Sequence, residues 1–308
     1  MNAKLHELRM ILRTAAAVAV MGLIAAMSTP AAGNTVTMTV TAVGKKKAAP
    51  RISPSDVLVN EGKDKARMQV VDWRRGETLY LAILIDDGVD NRVAVQLNDI
   101  RDFIREQPST TYVAVAYARN GMAQIAQDFT KDHAKAGKAL RIPLGDVGAL
   151  GSPYLSLQDL IHRMPKGERR AIVLVSSGID YFRGDFGPFS PDLDTTIERA
   201  QRENVTLYAM YAPGAGRRSR FFFRVNNAQA SLSKLGDETG GAAFYLGFDQ
   251  PVTFKPYLDE IRTYLDNQYL LTFRPERSPK DRFENVKVGT EVPAVRFLAA
   301  PQVYVRKS

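Results

Sequence analysis

The segment Leu79 to Ile85 (LYLAILI) is an unbroken apolar run that stops abruptly at Asp86-Asp87-Gly88. A strand with water on one face alternates apolar and polar residues. An unbroken run instead marks a strand covered on both faces, as in the interior of a parallel sheet. Ala171 to Val175 (AIVLV) repeats the pattern and stops at Ser176-Ser177-Gly178. After the first run, Val93, Leu97, Ile100 and Ile104 fall on one helical face, and further helices are expected at 131–140, 155–164, 193–203, 228–235 and 253–265. Tyr112 to Tyr117, Thr206 to Tyr211, Ala242 to Tyr245 and Gln268 to Phe273 read as strands between them. Asn120-Gly121 is a hairpin turn leading into Met122 to Phe129, which predicts one antiparallel edge. The alternation from 78 to about 273 therefore predicts a doubly wound, mostly parallel α/β sheet with helices on both faces. Such sheets carry function at the carboxyl ends of their strands, here the loops after Ile85, Val175 and Tyr211.

Short β segments flank this unit. Thr35 to Val43, Ile52 to Val59 and Met68 to Trp73 precede it, and 285–288, 294–298 and 303–305 follow it. Ahead of everything lies a basic start (Lys4, Arg9, Arg13), an apolar run from Ala15 to Ala26, and small residues around Ser28 to Gly33. That order is the signature of a secretory signal, with an uncleaved N-terminal anchor as the alternative. The expected organisation is a signal peptide over 1–32, a β segment over 33–76, the α/β domain over 77–275 and a β segment over 276–308. The chain is expected to be exported, periplasmic or extracellular, with no transmembrane helix in the mature form.

Composition narrows the chemistry. The 308 residues include no cysteine and only three histidines, His6, His133 and His162, so thiolate chemistry is excluded and zinc or histidine-based hydrolysis has little to work with. Lys+Arg 42 against Asp+Glu 33 gives 42 − 33 = +9, spread along the chain as on solvated faces, and no nucleic acid is expected as a partner. Gly-x-Ser-x-Gly is absent around Ser176 and Ser177, and Gly214-Ala215-Gly216 lacks the third glycine of a dinucleotide loop.

A buried strand ending in aspartate, then a helix, then a later buried strand ending in Ser-Ser-Gly resembles the Rossmann-like von Willebrand factor type A domain. The lead-in Ser53-Pro54-Ser55-Asp56-Val57-Leu58-Val59-Asn60-Glu61-Gly62 and the exit Tyr269-Leu270-Leu271-Thr272-Phe273-Arg274-Pro275 resemble the bacterial exported VWFA-related subfamily, as does the closing Val303-Tyr304-Val305-Arg306-Lys307. The resemblance implies a metal-ion-dependent adhesion site built from Asp-x-Ser-x-Ser, a threonine on a second loop and an aspartate on a third. Here the first loop keeps Asp86 but has Gly88 and Asp90 in place of the serines. Ser152 stands for the threonine, and Ser177 replaces the third aspartate. The resemblance thus implies a degenerate site at Asp86, Asp90, Ser152 and Ser177, with no cofactor required. The alternative is a weak Mg²⁺ or Ca²⁺ site drawing on Asp86, Asp87, Asp90 and Asp180, since clustered carboxylates without a cation repel one another. In the other reading of these residues, Asp86 caps the following helix and Asp90 is solvated.

Arg217, Arg218, Arg220 and Arg224 surround Phe221-Phe222-Phe223 after the strand Thr206 to Tyr211. They form either a partner-binding patch suited to an acidic protein or a helix edge whose phenylalanines pack inward. The function expected is a non-enzymatic exported binding module that engages a protein partner. A metal-assisted hydrolase and a structural part of an envelope assembly are the alternatives.

Overall fold

The computed structural model describes residues 34–44, 51–62, 66–145, 151–182, 187–216, 219, 221–244, 249 and 251–307. Residues 1–32, expected above to be a signal peptide, and Arg217, Arg218 and Arg220 lie outside the described residues. No described helix is long and apolar enough to cross a membrane.

The central unit is a six-stranded sheet. In chain order its strands are β5 (Leu79–Asp86), β6 (Thr111–Arg119), β7 (Met122–Thr130), β8 (Arg169–Ser176), β9 (Val205–Tyr211) and β10 (Ala242–Phe244). Across the sheet they run β10-β9-β8-β5-β6-β7, all parallel except the edge strand β7. The hairpin into β7 turns through Asn120 and Gly121, at φ 51° and 73°, a left-handed pair that Asn-Gly adopts at low cost.

Alternation along each strand feeds two cores. Leu81, Ile83, Ile85, Val113, Val115 and Val173 face α1 (Leu97–Arg105), α2 (His133–Lys138) and α6 (Lys255–Asp266). Ala82, Leu84, Ala114, Ile172, Leu174 and Leu207 face α3 (Pro153–Arg163), α4 (Pro191–Glu203) and α5 (Phe222–Glu238). The two runs that lack polar alternation are therefore the strands covered on both sides. Helix α1 is preceded by a 3-10 turn over Asn91–Gln96, and α5 begins six residues earlier than its periodicity predicts.

The flanking segments form a second layered unit rather than two separate ones. Strands β1 (Val36–Gly44), β4 (Gln69–Arg74), β11 (Gln268–Arg274) and β13 (Val295–Ala299) make one sheet, in the order β13-β1-β11-β4. Strands β2 (Val57–Glu61), β3 (Ala66–Arg67), β12 (Arg282–Thr290) and β14 (Gln302–Val305) make another, in the order β14-β12-β2-β3. Met38, Val40, Val59, Leu271, Phe273, Val286 and Val305 fill the core between them. Trp73 stacks on Tyr269 at 4.5 Å and donates its indole N–H to the carbonyl of Ile52 at 3.1 Å. β11 was expected to extend the parallel sheet. It pairs instead with β1 and β4, both antiparallel, because its neighbours come from the far end of the chain.

Candidate functional site

The order β7-β6-β5-β8-β9-β10 reverses its winding between β5 and β8: one connection leaves toward β6 and the other toward β9. The loops at the carboxyl ends of such a pair diverge and leave a crevice. In register, Ile85 faces Val175, so the next residues, Asp86 and Ser176, come side by side at its floor. The Ser176 hydroxyl donates to Asp86 Oδ2 at 2.7 Å, and the Gly88 N–H donates to Oδ1 at 2.8 Å. Ser176 Oγ in turn accepts the N–H of Gly178 at 3.0 Å. Burial of the Asp86 carboxyl outweighs these bonds and, with the charge of Asp87 nearby, pushes its pKa up to about 6.

Strand parity sends Asp87 to the opposite face. It is buried, and Arg141 grips both its oxygens at 2.7 and 2.8 Å. The guanidinium lies 3.7 Å from the centre of the Tyr117 ring. The Tyr117 hydroxyl donates to the Arg141 carbonyl at 2.8 Å and accepts its N–H at 2.6 Å. No sequence signal marked Arg141; it comes from the irregular stretch between α2 and α3.

Asp90, not Asp86, caps the following turn: its Oδ1 accepts the Arg92 N–H at 3.0 Å. Its carboxylate also pairs with the Arg92 guanidinium at 3.0 and 3.1 Å, a partly exposed ion pair outside the lining of the crevice. Ser152 does reach the crevice. It stands ahead of α3, 1% exposed, and its hydroxyl has no hydrogen-bond partner among the described residues. Ser177 is turned away, its hydroxyl accepting the Ile179 N–H at 3.4 Å. Asp180 is buried against the Phe182 N–H at 3.0 Å and the Ser190 hydroxyl at 3.4 Å. Thus Asp86 and Ser152 come together, Ser176 takes the place expected for Ser177, and Asp90 and Asp180 do not join them.

The crevice holds about 20 Å³, room for roughly one water. Asp87, Arg119, Asn120, Gly151, Ser156 and Tyr181 are among its other walls. Its rim is pinned by the backbone: Asp90 N–H donates to Pro213 at 2.8 Å and Ala215 N–H to Gly88 at 2.9 Å.

Around this crevice lie most of the exposed apolar side chains. Eleven large hydrophobic residues are exposed among the described residues, and only Val71 lies away from the carboxyl-end loops. Phe182 and Phe189 follow β8; Phe221, Phe222 and Phe223 follow β9, exposed by 63, 59 and 80%. Val95, Met122, Ile142, Leu144 and Val252 complete the group. The inward packing considered for Phe221-Phe222-Phe223 is thus not what the fold does: they lie before and within the first turn of α5 and point outward. Arg224 is half-buried on the same turn.

The winding order, the antiparallel edge and an aspartate-led loop at the reversal point decide the architecture. The central unit has a von Willebrand factor type A fold. Three solved structures are similar to the chain. One is an aerotolerance-related membrane protein from Bacteroides fragilis, at 12% identity and TM-score 0.46, covering 61% of this chain and 98% of that one. Another is a von Willebrand factor type A protein from Catenulispora acidiphila, at 11% identity and TM-score 0.42, covering 91% and 75%. The third is the vWF domain of the type V pili tip protein Mfa5 from Porphyromonas gingivalis, at 10% identity and TM-score 0.43, covering 62% and 95%. At such identities the likeness is one of fold alone. No family model matches the chain, and no curated protein matches it.

Proposed function

We propose that the protein is an exported, non-enzymatic recognition module that binds a protein partner on the carboxyl-end face of its type A domain. The observation that carries this reading is the concentration of exposed apolar side chains on that one face, ten of the eleven among the described residues. Exposed apolar surface gathered in one place, rimmed by polar groups, is the usual mark of an interaction surface. In sequence, Arg217, Arg218, Arg220 and Arg224 flank the phenylalanines and suit an acidic partner.

Recognition on this face is metal-independent in our reading. Asp87 is committed to Arg141 and Asp90 to Arg92, Gly88 has no side chain, and Ser177 faces its own turn. The side-chain donors left toward the crevice are one carboxylate, Asp86, and neutral hydroxyls such as Ser152. That set does not fit Mg²⁺ or Ca²⁺, which take several oxygens and favour more than one carboxylate. Among the described residues no three Asp, Glu or His side chains are gathered for a metal. Catalysis finds little support either. A crevice of about 20 Å³ does not admit a small-molecule substrate. His133 bonds the Thr111 carbonyl at the amino end of β6, and His162 is exposed late in α3.

Site-specific photo-crosslinking in the producing cell tests the reading. A crosslinker at Phe223 or Leu144 is expected to trap a discrete protein adduct, and one at Val71 none. Equal trapping at all three positions, or none at any, overturns the proposal.

A further inference from the structure

A second cleft, independent of the apolar face, lies at the opposite, amino end of the parallel strands. It holds about 560 Å³, a volume within the range of ligand sites. Its walls are Lys166 ahead of β8, Arg202 and Glu203 at the end of α4, and Asp281, Tyr304, Arg306 and Lys307 from the second β unit.

Arg202 is built into place rather than left to wander. Its guanidinium lies 4.1 Å from the centre of the Tyr304 ring and 5.5 Å from that of Phe283, and those rings pair with each other at 5.3 Å. The Tyr304 ring is itself fixed, its hydroxyl donating to Asp281 at 2.7 Å. Yet the guanidinium makes no hydrogen bond or ion pair with any described residue. Both carboxylates of the cleft are already engaged. Glu203 holds Lys166 and, at 3.4 Å, Arg170. Asp281 holds Tyr304 and the Lys307 N–H, the latter at 2.8 Å. Four cations against two carboxylates leave 4 − 2 = +2 in the cleft.

A stacked guanidinium with its N–H fork unspent is arranged for two-point contact with an oxyanion. A phosphoryl group offers two oxygens to that fork and a third to the neighbouring cations, which a carboxylate does not. We infer that this cleft binds a doubly charged phosphoryl group through Arg202, with Lys166, Arg306 and Lys307 supplying the surrounding positive charge. The source is either free phosphate or a phosphomonoester headgroup at a lipid surface.

The test is calorimetric titration of the full chain with inorganic phosphate, against chloride at equal ionic strength. Saturable binding is expected, weakened about tenfold or more in Arg202→Ala and only in part restored in Arg202→Lys, which keeps the charge but loses the fork. Arg202 is exposed, so both variants should keep the parent circular dichroism, with only a small fall in melting temperature from the lost ring contacts. Vesicles containing phosphatidic acid form the second arm. Retention that is competed by free phosphate and lost in Arg202→Ala assigns the group to a headgroup. Phosphate binding without retention assigns it to a soluble source. No saturable phosphate binding, or binding unchanged in Arg202→Ala, overturns the inference.

Discussion

The Ser176 hydroxyl reaches across from the end of β8 to donate to the carboxylate of Asp86 at the end of β5, over 2.7 Å and ninety positions of sequence. This bond ties the two strands at the reversal of the sheet and gives the buried carboxyl one of its two donors.

Removing that donor is expected to cost stability. Ser176→Ala takes one of two donors from the carboxylate of Asp86, a half-buried residue, at a cost of about 1–3 kcal/mol in urea unfolding. Ser177→Ala removes only a 3.4 Å contact within one turn and is expected to cost less than about 1 kcal/mol. Equal costs for the two variants would place the strand-end bond on the wrong serine.

Asp86 should leave a mark on stability against pH. Its pKa is about 6 in the fold against an ordinary value of 3.8, so the folded chain holds a proton that the unfolded chain releases between those values. Its contribution is present below about pH 4, declines as pH rises toward 6, and stays level above. In Asp86→Asn this decline is absent, so the variant gains on the parent by up to about 3 kcal/mol between pH 4 and 7. Parallel curves for parent and variant would remove the raised pKa.

Arg141 is expected to be the costliest arginine of this face to lose. Arg141→Ala strands Asp87, 2% exposed at its side chain, without its counter-charge. Losing one partner of a buried pair costs about 3–5 kcal/mol, and because the guanidinium is 39% exposed we expect about 2–3 here. Adding Asp87→Asn to that variant should recover part of the loss in thermal unfolding. If the double variant is the less stable one, the pairing does not account for the effect.

Divalent ions offer a direct check on the type A site. Calorimetric titration with Mg²⁺, Mn²⁺ and Ca²⁺ is expected to show no saturable heat, and the melting temperature should not move with added metal. Saturable binding that disappears in Asp86→Ala would restore a working ion site and redirect partner searches to metal-loaded protein.

The parallel sheet was readable because LYLAILI and AIVLV have no polar alternation, and the edge hairpin because Asn120-Gly121 tolerates left-handed backbone. Strand parity also contained the Ser176 contact: Leu84 and Leu174 share a face, and Asp86 and Ser176 continue it. The family's Ser-Asp-Gly, laid on Ser176-Ser177-Gly178, pointed to the middle residue, Ser177, instead. The path of β11 was not readable, because QYLLTFR is as apolar as a parallel-sheet strand and its partner β1 lies more than two hundred residues away, the Thr37 and Thr272 hydroxyls meeting at 2.9 Å. Arg141 carried no local signal, since its role depends on a loop folding back over Asp87. Three consecutive phenylalanines suggested burial, yet they stand where a helix begins at the surface.

The second β unit has a mechanical consequence. The strand near the start of the described chain, β1, and the strand at its end, β14, both lie in it, while the type A unit is threaded between β4 and β11. Tension drawn between Val36 and Val305 is therefore met first by the ladders of β1 with β11 and β13, and of β12 with β14. The carboxyl-end loops of the six-stranded sheet hang outside that line of force. A pull that begins to part the β layers leaves the shape of that face intact until the ladders fail.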